Sequence, residues 1–188
     1  GYSGTVGARI VTVFDRAAAA DIPEDFLLPR LAEGVSKGIP GPRMASVLER
    51  RLADLQNARR VLEDGGLAVE GPANRSLWSR AALLLWDGAP DSHLRRLAAA
   101  ADGTNDGLEE ALSLYASLFS WGLDRPATLS VTVAALSGPM APADYPGIVE
   151  LLTAARSQRI PAADIADRLT AALPRTTTLS ALREQVLY

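Results

Sequence analysis

The sequence predicts an all-α protein of about eight to ten short helices joined by Gly-φ-Pro turns. Three observations lead there. Hydrophobic residues make up 48% of the 188-residue chain and aromatics only 5%, so the core rests on Leu, Ala, Val and Ile, a mixture in which Ala and Leu favour helix. Apolar residues recur at helical spacing along much of the chain. A tripeptide then recurs between those segments, as Asp21-Ile22-Pro23, Gly38-Ile39-Pro40, Gly88-Ala89-Pro90 and Arg159-Ile160-Pro161, with Gly122-Leu123-Asp124 as a degenerate fifth copy.

The triplet has a physical reading. A helix often ends on a left-handed residue, for which glycine carries no steric penalty. The following apolar residue folds back on the last turn, and proline then ends the helix and suits the first turn of the next. Asp21 and Arg159 fit the stop position less well than glycine. Six residues past each stop stand Leu27, Met44, Leu94 and Ile165, and ten past it Leu31, Leu48, Ala98 and Leu169, the i, i+4 pair of a buried helix face. The fifth copy slips, with Thr128 at the first position and Leu129 beside it. The gaps between the stops at 21, 38, 88, 122 and 159 approximate one, three, two and two units of about 17 residues, with Gly71-Pro72 and Gly138-Pro139 near two empty slots. Such spacing fits either an αα-hairpin (solenoid-like) array or an irregular helical bundle.

In chain order, Ile10, Val13, Phe14 and Ala17 predict a helix over 8–20, with a β-branched strand at 10–14 as the alternative and a flexible segment before Gly7. Helices follow near 24–37, kinked at Pro29, and 42–63, bearing Met44, Leu48, Leu52, Leu55 and Leu62. The Gly- and Pro-containing stretch 65–73 reads as a linker between an N-terminal unit (1–64) and a C-terminal unit (74–188), or as a connection within one continuous domain. Further helices are predicted near 75–87, 91–101, 107–121, 126–137, 143–157, 162–173 and 179–187, the last capped by Thr178 or Ser180. Pro-Glu-Asp-Phe at 23–26 and Pro-Ala-Asp-Tyr at 142–145 each precede a helix ending in Ser-Lys-Gly-Ile-Pro (36–40) or Ser-Gln-Arg-Ile-Pro (157–161), an internal match that points to duplication.

Charge and composition narrow the function. The net charge of −3 gives no general reason to bind nucleic acid or an anionic membrane. Absence of cysteine excludes disulfides and thiol catalysis, and no apolar run reaches the roughly 20 residues of a transmembrane helix. Of 19 basic residues only Lys37 is lysine, and abundant Arg and Ala fit a GC-rich bacterial gene and a soluble protein. A first residue of Gly rather than Met fits either a trimmed chain or a removed targeting segment.

Motifs for chemistry are few. His93, the single histidine, follows Asp91 and Ser92 at a helix start and reads as a polar first-turn residue rather than a catalytic base or zinc ligand. Asp102-Gly103-Thr104-Asn105-Asp106-Gly107 has part of a calcium-loop pattern, but Ser113 stands where the twelfth-position Glu belongs, so a capped turn is expected. Glu24/Asp25 and Glu109/Glu110 complement helix starts. Gly38 to Ala45, with Lys37, Arg43, Arg50 and Arg51 near it, resembles the hairpin of helix-hairpin-helix DNA-binding modules, though Pro40 spoils the spacing and removes an amide donor. Trp78, Trp86 and Trp121 are the candidate binding residues, able to line an apolar groove or to serve as core packing. No catalytic residue, metal ligand or cofactor motif stands out.

Glu33-Gly34-Val35-Ser36-Lys37-Gly38-Ile39-Pro40, with Met44 following, resembles an E-G-x-[AS]-K-G-[VI]-P motif of bacterial helical proteins whose role is uncharacterised, over about residues 8–60. The resemblance implies a helical fold and an exported or periplasmic home, and no activity. The expected function is a non-catalytic helical scaffold or protein-protein interaction module. The alternatives are a carrier holding an apolar small molecule or lipid between helices, and an enzyme with an unfamiliar all-α site.

Overall fold

The computed structural model describes residues 2–71 and 74–188. Among them lie ten α-helices and no strand: α1 (Gly4–Ala19), α2 (Leu28–Ser36), α3 (Gly41–Asp64), α4 (Arg75–Trp86), α5 (Asp91–Ala100), α6 (Leu108–Trp121), α7 (Arg125–Leu136), α8 (Tyr145–Ser157), α9 (Ala162–Ala172) and α10 (Leu179–Leu187). Residues 10–14 are helical, so the strand alternative falls. Helix α1 starts at Gly4, and the Tyr2 hydroxyl donates to the Ile39 carbonyl at 2.7 Å, so the segment before Gly7 is structured from Tyr2 onward. The helix predicted over 24–37 is split into a 3-10 turn at Glu24–Phe26 and α2, which begins with Pro29 in its first turn, where the missing N–H costs nothing.

Every triplet turn has the same hydrogen-bond pattern. Asp21, Gly38, Gly88, Gly122 and Arg159 have φ of 52°, 64°, 85°, 114° and 62°. The next residue donates to the carbonyl five residues back: Ile22 to Ala17, Ile39 to Gly34, Ala89 to Leu84, Leu123 to Leu118 and Ile160 to Ala155, at 2.9–3.2 Å. The stop residue itself donates to the carbonyl three residues before it, completing a Schellman motif. Gly66-Leu67 forms a sixth such turn, with φ of 76° at Gly66 and a 3.0 Å bond from Leu67 to Leu62, although no proline follows.

Proline is found one place earlier than expected. Pro40, Pro90 and Pro161 are the N-cap residues of α3, α5 and α9, with ψ near 134–145°. A residue there needs no N–H, and its carbonyl accepts the first intrahelical bond. In the fifth copy Asp124 takes this place and caps with its side chain, accepting from the Ala127 amide at 2.8 Å.

Gly138-Pro139 is a different device. Gly138 is not left-handed, and Pro139 has no amide for the five-back bond. A Cβ at Gly138 would lie 2.6 Å from the Leu173 carbonyl oxygen and 2.9 Å from that of Ala134, so glycine serves close packing of the chain after α9. Gly71-Pro72 lies partly outside the described residues. Helix lengths run from 9 to 24 residues, so the turn spacing departs from a uniform 17.

The helices pack in alternation. Helices α1, α3, α5, α7 and α9 contact one another in that order, as do α4, α6, α8 and α10, giving two layers. The register positions face between them: Leu27, Met44, Leu94, Ile165, Leu48, Ala98 and Leu169 are buried, and Leu31 is partly so. The fifth copy stays in register, since Thr128 and Thr132 are fully buried with Leu129 beside them. Thr132 returns its hydroxyl proton to the Thr128 carbonyl at 2.8 Å, which satisfies the buried oxygen. One apolar cluster runs from Ile10 through Tyr115 and includes Leu129, and a second from Ala111 to Leu187, meeting on α6 and α7. Leu67 and Val69 are buried in the first cluster, and α3 and α4 on either side of the 65–73 stretch are closely packed partners.

Two substitutions test this account through urea midpoints at unchanged m-value. Arg159→Gly should stabilise by about 0.5–1 kcal/mol, relief of left-handed strain exceeding the added chain entropy. Gly138→Ala should destabilise by about 2–3 kcal/mol, because backbone carbonyls meet the new methyl group.

Candidate functional site

The three tryptophans do not converge. On α4, Trp78 is buried; its indole donates to the Leu55 carbonyl at 2.8 Å, and Phe26 meets it edge-on at 5.0 Å. Arg59 lies 5.7 Å above its ring and is itself used up, bonding Glu63, Glu70 and the Ala20 carbonyl. Trp121, at the end of α6, packs on the second cluster under Arg156 at 4.9 Å. These two are packing residues. Trp86, at the end of α4, is half-buried between the guanidiniums of Arg30 and Arg50, 5.6 and 4.9 Å from its ring.

Trp86 borders a half-open groove of about 220 Å³ between α2, α3 and the end of α4. Its apolar lining is Ile39, Met44, Val47 and the Trp86 ring, with Gly34 at the back. Glycine at 34 is required by packing, because a Cβ there would overlap the Met44 sulfur. Arg30, Lys37 and Arg43 stand at the rim with a single carboxylate, Glu33, which Arg30 and Lys37 share at 2.6 Å each. Those two cations hold the Glu33 carboxyl below its ordinary value. Arg50 donates to the Trp86 carbonyl at 3.1 Å, and Arg43 joins no ion pair among the described residues. Glu33, Gly34, Lys37, Ile39 and Met44 of the motif therefore build one surface. Arg30 and Val47 were not singled out by sequence; only their spacing to Lys37 and Met44 hinted at a shared place.

Further along α3, Arg51 and Asp54 each leave one buried side-chain atom without a partner. Burial raises the Asp54 carboxyl above its ordinary value and lowers that of Arg51. Arg51 is thus half-buried, with Nη1 shut off from solvent.

Asp102 to Gly107 is a clamp. Asp102, Gly103 and Gly107 are left-handed, and the Asn105 amide donates to the Ala68 carbonyl at 2.9 Å and to Asn74 Oδ1 at 2.8 Å, pinning the α3–α4 connection. Among the described residues no three metal-ligating side chains of His, Cys, Asp or Glu cluster. Glu109 links α6 to α4 through Ser76 and Arg80, and Asp25 pairs with Arg75 at 3.2 Å, so these carboxylates tie elements together.

A second groove, of about 290 Å³, opens where the end of α4, the α6 face and the start of α7 meet. Tyr115 lies in it almost fully buried, with its phenol 2.8 Å from His93 Nδ1. Burial foremost, then Arg125 and Arg96, lower the His93 pKa from its ordinary value, and burial raises that of Tyr115. His93 is therefore neutral at pH 7 and locks the Tyr115 ring. Sequence reasoning missed Tyr115 and Arg125, which stand 22 and 32 residues from His93 and carry no local pattern.

No helix among the described residues is long and apolar enough to cross a membrane. No protein-family model, curated protein or solved structure matches the chain.

The depressed His93 pKa sets a sign for pH dependence. The unfolded chain binds the His93 proton more readily than the folded one. The contribution of neutral His93 should be fully present above about 6.5 and be lost as pH falls toward its folded pKa. Urea midpoints between pH 7.5 and 5 should decline in the wild type and flatten in His93→Gln, since no other histidine titrates there.

Proposed function

We propose that the protein is a non-catalytic helical scaffold whose α2–α3–α4 face binds an acidic, amphipathic helical segment of another protein. The observation that carries this reading is the Trp86 groove: an apolar trough whose rim holds Arg30, Lys37 and Arg43 against one carboxylate, on a chain of net charge −3. An amphipathic helix presents apolar anchors one turn apart with charges flanking them, which suits such a trough. Trp and Arg are also the residue types most enriched where interfaces concentrate their binding energy. Surplus cations at the rim would speed encounter with an acidic partner and reject a basic one.

The alternating helix layers fit a repeat architecture that offers extended faces to partners. The 3-10 turns at Glu24–Phe26 and Pro142–Asp144, each leading into a helix closed by a left-handed turn, agree with an ancestral duplication. Burial of the polar edge of an acidic segment would also neutralise Arg43, whose charge is otherwise solvated. The carrier reading has less support, because Trp78 and Trp121 are covered by Arg59 and Arg156 and do not share a cavity with Trp86.

A panel of labelled amphipathic peptides, identical in their Leu positions and carrying either Glu or Lys between them, tests the reading by fluorescence anisotropy. Acidic members should bind and basic ones should not. Lys37→Glu with Arg43→Glu should weaken the acidic peptides at least tenfold, and added salt should do so progressively. Equal binding of both series, or indifference to the double reversal, refutes it.

A further inference from the structure

We propose that the groove beside Tyr115 and Arg125 is a binding site for a small monocarboxylate with a flat or short apolar body. The walls are Leu84, Ala89, Ala116 and Phe119, with the Tyr115 ring as floor. The volume, about 290 Å³, matches the lower end of the roughly 300–1,000 Å³ range of small-molecule sites and is too small for a long acyl chain.

Arg125 supplies the polar anchor. It occupies the first position of α7, and its guanidinium lies 5.1 Å from the centre of the Phe119 ring. Its one hydrogen bond among the described residues is a long one, 3.4 Å from Nη2 to the Asp87 carbonyl oxygen. Gly88 makes room for this approach: a Cβ there would sit 3.1 Å from Nη2. A guanidinium has five N–H donors in a planar fork, the shape that receives a carboxylate through two parallel bonds. Most of those donors are unused here, beside an apolar wall.

The surroundings select charge and size. Asp87 borders the groove but meets Arg125 through its carbonyl, while its negative charge acts on Arg51 on the α3 side. The positive start of α7 is already satisfied by the Asp124 side chain, and a single arginine faces the groove, so one negative charge is matched and two are not. His93 contributes by position. Its bond to the Tyr115 phenol fixes the floor, and His93 and Tyr115 rings meet at 5.9 Å and 72°. The ligand body would then lie on Tyr115 and Phe119 with its carboxylate in the Arg125 fork. This site uses no residue of the Trp86 groove and stands or falls apart from the reading given for it.

The test titrates the protein with benzoate, phenylacetate, 3-phenylpropanoate and 4-methylpentanoate, each beside its primary amide, and follows amide and arginine Nε signals by NMR. At least one acid should bind saturably, with shifts centred on Tyr115, Phe119 and Arg125 and affinity at least tenfold above its amide. Arg125→Gln should abolish that difference, Arg125→Lys should retain part of it, and Lys37→Glu with Arg43→Glu should leave it unchanged. If no acid shifts these signals, if acid and amide bind alike, or if Arg125→Gln, still showing a folded spectrum, keeps the preference, the proposal is overturned. The acid-against-amide comparison in the wild-type protein decides the matter even if the variants fail to fold.

Discussion

Helices α1, α2, α3, α4, α6 and α8 end where one residue turns left-handed and the next falls back on the turn just completed. The five-back hydrogen bond closes the helix, and Ile22, Ile39, Ala89, Leu123 or Ile160 seals it against the core side. The residue after that seal has no partner for an amide proton, so proline or a capping aspartate stands there. The direction in which the chain leaves is therefore fixed by backbone geometry, and the residues six and ten past the stop face inward. The rule is applied at the passages into α2, α3, α5, α7 and α9, and other turns return the chain to α6, α8 and α10 in the second layer.

That rule is local, which is why it could be read. Left-handed residues, tucked aliphatics and prolines are adjacent in sequence, and their spacing to Met44, Leu48, Ile165 and Leu169 needs no knowledge of the fold. Its failures are informative. Gly138 carries the same letters as a stop but answers to Leu173, 35 residues away, through a close backbone approach. Gly66-Leu67 closes α3 without a proline, and α3 itself fills the place of more than one helix. Thr128 and Thr132 look like a lapse in the apolar register, yet each hydroxyl reaches a carbonyl on its own or the preceding turn, so the buried threonines keep the register. None of these can be settled from a window of the chain.

The tryptophans were visible in the sequence, but their roles depend on arginines brought from elsewhere. Arg59 reaches Trp78 across the α3–α4 contact, Arg30 and Arg50 enclose Trp86, and Arg156 comes from α8 to Trp121. A guanidinium over an aromatic face contributes about 0.5–1 kcal/mol at exposed positions and shields the ring from water. Two of these arginines, and Arg125 over Phe119, also donate to carbonyls that a helix end leaves open: Arg59 to Ala20, Arg50 to Trp86 and Arg125 to Asp87. Lysine, a point charge with no planar face, would not meet both demands. This gives a structural reason for arginine at positions 50, 59 and 125.

The same pairing separates packing from recognition. At Trp78 the covering arginine bonds two carboxylates and a helix-end carbonyl, and the ring is buried, so nothing is left over for a ligand. Around Trp86 three rim cations stand beside an apolar trough with one carboxylate, which pairs with Arg30 and Lys37 and not with Arg43. At Phe119 the arginine is held by a single long bond over a groove floored by a fixed tyrosine. Recognition needs both a concave apolar wall and polar groups whose hydrogen bonds the fold has not already taken, because only such groups gain on binding what they do not lose from folding. Trp121 borders neither of these two grooves, although Arg156 covers it. On this criterion an aromatic residue's place in the sequence matters less than the unspent donors of the arginine above it.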